Sequence, residues 1–164
     1  MSIDSGLELR FAGEESNPRL KPSLGRNSMA VRIIIADDHP VVRHGLRTLL
    51  TEHSGWEVIA EAGDGVEAVE MADRLKPDVV VLDLSMPRMH GLEACRLIRM
   101  KIPDCEILMV TQHDSPQMMQ EALLCGAKGY VVKTDAARDL LAAVDAVSQH
   151  RHFTLPSKGG ANAS

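Results

Sequence analysis

Aromatic side chains are nearly missing from this chain: Phe, Tyr and Trp make up 2% of its 164 residues. A core must therefore be built from aliphatic residues and from the nine methionines, which fill irregular gaps. So few rings argue against a protein that stacks bases or flat cofactors. Cysteine is scarce too. Cys95, Cys105 and Cys125 form no CxxC or other metal-ligand spacing, and an odd number points to free buried thiols in a reducing cytoplasm. The N-terminus lacks the apolar core of a signal peptide, and no run approaches the ~18 apolar residues needed to cross a membrane. A basic stripe is missing as well. Residues 31–150 carry 12 basic and 19 acidic side chains, while residues 1–30 are neutral and 151–164 carry only Arg151 and Lys158. Such an acidic segment is a poor candidate for direct binding of nucleic acid.

What is present is the composition of one globular domain, with 45% hydrophobic and 25% charged residues. Residues 1–30 mix Ser, Asn, Pro, Gly and charges without periodicity, which predicts a disordered or weakly ordered extension. Met29 stands just before the first strong strand and is a candidate start. From Val31 the pattern is regular to residue 150. Val31–Ala36 and Asp78–Leu82 are continuous apolar runs of the kind buried on both faces of a sheet. Shorter strands are predicted at Trp56–Glu61, Glu106–Val110 and Gly129–Val132. Helices are predicted from Pro40 to about Glu52, over Val66–Leu75, Leu92–Met100 and Ser115–Leu124, and over Ala136–Gln149 with Asp135 as N-cap. Gly63, Gly65, Pro77, Pro87, Gly91, Pro103 and Gly126 punctuate them. Five alternations of strand and helix predict an α/β fold, a doubly wound parallel sheet with helices on both faces. The remainder, residues 151–164, reads as a flexible tail with no output domain after it.

In a sheet of this kind, working residues collect at the carboxyl ends of the strands. Asp37–Asp38, Asp83, Thr111 and Lys133 follow four of the five strands. Where those strands are neighbours, three carboxylates, a hydroxyl and an ammonium meet in one crevice. Crowded carboxylates repel, and a hard divalent cation such as Mg²⁺ relieves the repulsion. One carboxylate then suits nucleophilic attack to form an acyl phosphate, the ammonium balances the added charge, and the hydroxyl donates to a phosphoryl oxygen. Asp83 stands alone after a buried strand and is the best nucleophile. Singly, each residue has a plainer explanation: an Asp after a strand is often a turn or cap residue, a lysine is usually solvated, and Tyr130 suits simple packing. His39 and His44 lie near the crevice in sequence, but no HxxH or HExxH pattern supports transition-metal binding.

The stretches IIIADDHPVVRHGL, VVVLDLSMPRMHGLEA, ILMVTQHD and EALLCGAKGYVVKTDA resemble the CheY-like receiver domains of bacterial response regulators, most of all the NarL/FixJ subfamily, whose members carry a LuxR-type output domain. The resemblance spans residues 31–150. It implies a flavodoxin-like sheet of five strands in the order 2-1-3-4-5. It also implies Asp83 as phosphoacceptor; Asp37, Asp38, Asp83 and the Ser85 backbone carbonyl as Mg²⁺ ligands; Lys133 as charge partner; Thr111 as switch hydroxyl; and Tyr130 as the aromatic that turns inward on activation. The phosphoryl donor implied is a histidine kinase or phosphotransfer protein. Catalysis is then limited to the domain's own phosphotransfer and autodephosphorylation, in the cytoplasm, with residues 114–150 as the switching and homodimerising surface. Two positions depart from the family: Thr134 follows Lys133 where many receivers have Pro, and Gln112 follows Thr111 where a small residue is common. Two further classes compete. One is the receiver half of a LuxR-type DNA-binding transcriptional regulator whose helix-turn-helix lies outside these residues, the other a phosphate-independent docking module. The intact Asp37, Asp38, Asp83, Thr111 and Lys133 set argues against the latter.

Overall fold

Strand and helix alternate without exception along residues 30–154, the part of the chain that the computed structural model describes. The expected N-terminal extension lies outside the described residues, as does the tail beyond Thr154. The elements are β1 (Val31–Ala36), α1 (Pro40–Thr51), β2 (Trp56–Ala62), α2 (Gly65–Leu75), β3 (Val79–Asp83), α3 (Gly91–Lys101), β4 (Glu106–Thr111), α4 (Pro116–Leu124), β5 (Gly129–Val132) and α5 (Ala136–Ser148). All strands pair in parallel, in the order β2-β1-β3-β4-β5. The expected fold class and strand order are both observed.

The continuous apolar runs are explained by packing on both faces. Alternate strand residues point opposite ways. Ile33, Ile35, Val79, Val81, Leu108 and Val110 pack with Leu46 and Leu50 of α1 and Leu140, Val144 and Val147 of α5. Their neighbours Ile34, Val80, Leu82, Ile107 and Met109 pack on the other face with Ala68, Ala72, Cys95, Ile98 and Ala122 of α2, α3 and α4. Each fully buried Ile or Leu contributes about 1.5–3 kcal/mol, so a polar residue inside β1, β3 or β4 would be costly. Small residues at Ala68, Ala72 and Ala94 let the helices approach the sheet.

Register then places the site. Ala36 pairs with Leu82, which sets Asp37 beside Asp83. Asp83 pairs with Val110, and Thr111 with Val132, one residue before Lys133.

Two local details sharpen the expectations. Asp135 holds the expected N-cap position of α5, without a side-chain cap bond; Lys133–Asp135 forms a 3₁₀ turn leading into the helix, and Asp135 faces Arg138 at 3.6 Å. Residues 151–154, the described part of the expected tail, are held against the domain. α5 ends at Ser148 with Gln149 as C-cap, and the next residue, His150, has a left-handed φ of 63°. Arg151 N–H then bonds to the Ala146 carbonyl and His150 N–H to that of Val147, the paired bonds of a Schellman motif. Turned back in this way, Phe153 lies alongside β5, donating to the Lys128 carbonyl and accepting from Tyr130 N–H.

Candidate functional site

The loop after β1 is shaped by its own side chains. Asp37 Oδ1 accepts from His39 N–H at 2.8 Å, and Pro40 fills the first turn of α1, where its missing N–H costs nothing. Arg43, one turn into α1, donates to the Asp37 carbonyl at 2.6 Å and to Glu61 of β2 at 3.0 Å. This clamp fixes the Asp37–Asp38 backbone from behind. After β3, Gly91 is required by close approach: a Cβ there would stand 2.3 Å from the Asp83 carbonyl oxygen. The turn from β3 is also tied down by Arg88, which pairs with both oxygens of Asp64 at 3.0 and 3.2 Å, while Asp64 caps α2.

Asp37, Asp38, Asp83 and Lys133 come together at this end of the sheet. Lys133 Nζ is 2.7 Å from Asp37 Oδ2 and 3.3 Å from Asp83 Oδ2. Asp37, Asp83 and Thr111 are all buried, at 1–3% exposure. Asp83 also lines an open crevice of about 240 Å³ with His39, Ser85, Thr111, Gln112, His113 and Lys133, so a small ligand reaches it. Ser85 N–H approaches Asp83 Oδ1 at 3.4 Å. Burial pushes the Asp83 carboxyl above the ordinary carboxylate range, Asp37 adds to the rise, and Lys133 opposes it. His44 is exposed on α1 and lies outside this group.

One lysine does not compensate three carboxylates. Asp37 Oδ2 and Asp38 Oδ1 are shielded from solvent, and neither receives a well-directed hydrogen bond. Their contacts are with charged or chargeable nitrogens at short range: Lys133 for Asp37, and His39 Nδ1 at 3.1 Å for Asp38. Buried polar atoms left this way ask for a cation. Single ligand atoms of Asp37, Asp38, His39 and Asp83 all lie within 4.8 Å of one another. An oxygen-rich set of this kind, beside an open crevice, fits Mg²⁺, which retains several waters.

Thr111 and Tyr130 are linked through one residue. Thr111 Oγ1 accepts from His113 N–H at 3.2 Å, and the Tyr130 hydroxyl donates to the His113 carbonyl at 2.7 Å. Tyr130 is buried, and burial pushes its phenol up to about 12. His113 had no sequence signal beyond its place two residues after Thr111. Arg43, Glu61, Arg88 and the close approach at Gly91 were likewise not anticipated.

The response regulator receiver domain matches residues 33–145. Among curated proteins, the oxygen regulatory protein NreC of Staphylococcus epidermidis is 42% identical over 73% of this chain and 55% of its own length. The DNA-binding transcriptional activator DevR/DosR of Mycobacterium tuberculosis is 40% identical over 74% and 56%. The chain thus spans about half the length of the curated relatives it matches. Among solved structures, a LuxR-family two-component response regulator from Aurantimonas aligns with TM-score 0.74 at 37% identity, covering 79% of this chain and 91% of that one. The signal receiver domain of the putative response regulator NarL of M. tuberculosis aligns with TM-score 0.72 at 32% identity, covering 75% and 99%.

Proposed function

Because this chain belongs to the response regulator receiver family, we propose that Asp83 is its phosphoacceptor, in a Mg²⁺-dependent reaction with a histidine kinase or phosphotransfer protein. The observation that carries the reading is the bridge of Lys133 Nζ to Asp37 at 2.7 Å and Asp83 at 3.3 Å, with the Asp83 carboxylate facing an open crevice. The domain is a signalling receiver of two-component systems; its catalysis is limited to its own phosphorylation state.

An Asp83 oxygen attacks the phosphorus of a phosphohistidine. A P–O bond forms as the P–N bond breaks, and the donor imidazole, protonated on its other nitrogen, leaves as a neutral ring with the bonding pair. Asp37, Asp38, Asp83 and the Ser85 carbonyl are the residues that would hold Mg²⁺. Bound there, the ion supplies neutralisation of charge on the phosphoryl oxygens. Lys133 is placed to move its charge from the carboxylates to the phosphoryl group. The Thr111 hydroxyl turns to donate to a phosphoryl oxygen, giving up its bond from His113, and Tyr130 follows through the same residue. Residues 114–150 then repack as the output surface, through which the domain pairs with a second copy. Water attack at phosphorus returns the carboxylate and inorganic phosphate.

The test is labelling by acetyl phosphate with Mg²⁺. Wild-type protein should gain one acid-stable, base-labile phosphoryl group, and Asp83→Asn or addition of EDTA should abolish it. Undiminished labelling of Asp83→Asn would refute the assignment.

A second reading is that this receiver governs a DNA-binding output domain. Its support is the naming of curated relatives as transcriptional regulators and their roughly doubled length. Sequencing the transcript beyond Ser164 decides it: a helix-turn-helix with a basic recognition helix is expected.

A further inference from the structure

His39 is the one crevice residue whose ring enters the carboxylate group without a part in the phosphoryl chemistry. Its Nδ1 lies 3.1 Å from Asp38 Oδ1 and 3.4 Å from Asp37 Oδ1. Two neighbouring ligands of an octahedral ion at ~2.1 Å are about 3 Å apart, because they span one edge of the octahedron. The imidazole nitrogen therefore already stands at edge distance from Asp38 and a few tenths of an ångström beyond it from Asp37. Asp37 is 99% buried, and its Oδ2, like Asp38 Oδ1, lacks a directed hydrogen bond. The His39 backbone is held in place as well: its N–H is bonded to Asp37 Oδ1 at 2.8 Å, and the next residue is Pro40 at the start of α1. The ring itself is 60% exposed, so it is free to turn onto an ion or away from it.

Ligand chemistry gives this placement a consequence. Oxygen-only sets suit Mg²⁺, whereas an imidazole nitrogen favours later divalent transition metals, whose affinity for such sites rises from Mn²⁺ to Ni²⁺ and Cu²⁺. We propose that His39 is an optional fourth protein ligand, which lets this site take a borderline divalent transition metal through one nitrogen and the Asp37, Asp38 and Asp83 carboxylates. The hard ion is held by the oxygens alone, with His39 turned out. The proposal rests on the reading of Asp37, Asp38 and Asp83 as the metal-binding carboxylates. It gives one chain two metal preferences, and makes the site responsive to which divalent ion is abundant.

The test is calorimetric titration of the full chain with Mg²⁺ and, separately, Ni²⁺, at mildly alkaline pH where imidazole is neutral. Wild type, His39→Ala and Asp38→Ala are compared. His39→Ala should weaken Ni²⁺ binding by at least about tenfold, the scale on which ligand-shell losses are felt, and leave Mg²⁺ affinity within twofold. Asp38→Ala should weaken both ions. Pulsed electron paramagnetic resonance of the Cu²⁺ form should show coupling to an imidazole nitrogen that is lost in His39→Ala. Equal loss of both ions in His39→Ala would make His39 only a brace for Asp38 and overturn the proposal. Ni²⁺ binding at full strength in both variants, an adventitious ion only on the other histidines, would overturn it too. Failure of the phosphoacceptor reading looks different: acetyl phosphate labelling of Asp83 would be missing from wild type and His39→Ala alike, whatever their Ni²⁺ affinities.

Discussion

At the carboxyl end of the sheet two buried acids, Asp37 and Asp83, share one lysine; at the amino end a single buried acid, Glu106, has two basic partners. Glu106 is 4% exposed. Its oxygens meet His150 Nδ1 at 2.5 Å and Arg99 Nη1 at 3.2 Å, and Arg99 also donates to the Pro103 carbonyl. The two ends bury acids of the same chemistry under opposite conditions. One is saturated with partners and acts as a brace. The other is short of positive charge, and that deficit is what a cation and a phosphoryl group can use. Stability and function have been separated to opposite edges of one sheet.

The sharpest way to break this contrast is chemical: Asp83→Asn should take phosphoryl labelling to background, while Glu106→Gln should leave it in place. Next in size is Gly91→Ala, which drives a Cβ against the Asp83 backbone. Backbone cannot step aside as a side-chain tip does, so a loss of about 3 kcal/mol in urea unfolding is expected. Ala at Gly45 of α1, where nothing lies within 4 Å, should instead add up to ~1 kcal/mol. A smaller loss, about 2 kcal/mol, is expected for Glu106→Gln, which gives up hydrogen bonds to charged groups. The opposite sign is expected at the other end. Asp83→Asn removes a carboxylate whose folded value is raised above 3.8 by burial and by Asp37. A raised acid destabilises the fold above its folded value, and the cost disappears below its unfolded value. With EDTA present, Asp83→Asn should therefore be more stable than wild type by about 1 kcal/mol at neutral pH. That gain should shrink as pH falls through the folded value and vanish below the unfolded one. A pH-independent gain would mean that charge crowding is not its cause. Smallest is the effect of Gln112→Ala on the crevice rim: a few-fold change in the rate of acyl-phosphate loss, measured by the decay of labelled protein. Ala at Gln149, which bonds Asp145 and Arg151 on the surface, should leave that rate unchanged.

The saturated end was the less legible of the two in the sequence. Glu106 was read as the first residue of a strand, and its partners lie 7 and 44 residues away, so no local pattern joins them. The open end was legible because a parallel sheet converts sequence order into spatial order. Four of the five strands are largely apolar runs that stop at a polar residue, and alignment of the strands brings those stops together. Arg43, Arg88 and His113 escaped notice because each acts on a neighbour supplied by tertiary packing. Asp135 caps α5 by position as expected, but the 3₁₀ turn leading to it, which begins at Lys133, the residue that spans Asp37 and Asp83, had no sequence signal. The Tyr130 hydroxyl finds a carbonyl two residues past Thr111, which no strand pattern encodes.

The return of Phe153 along β5 has a consequence for how the domain keeps to itself. β5 is the last strand of the sheet, and an unpaired outer strand is a template on which other chains can add strands. By bonding to Lys128 and Tyr130, the residue after the last helix covers part of that row of amides. The chain thus shields its own margin against edge-to-edge aggregation, using three residues beyond His150 and the left-handed turn that His150 makes.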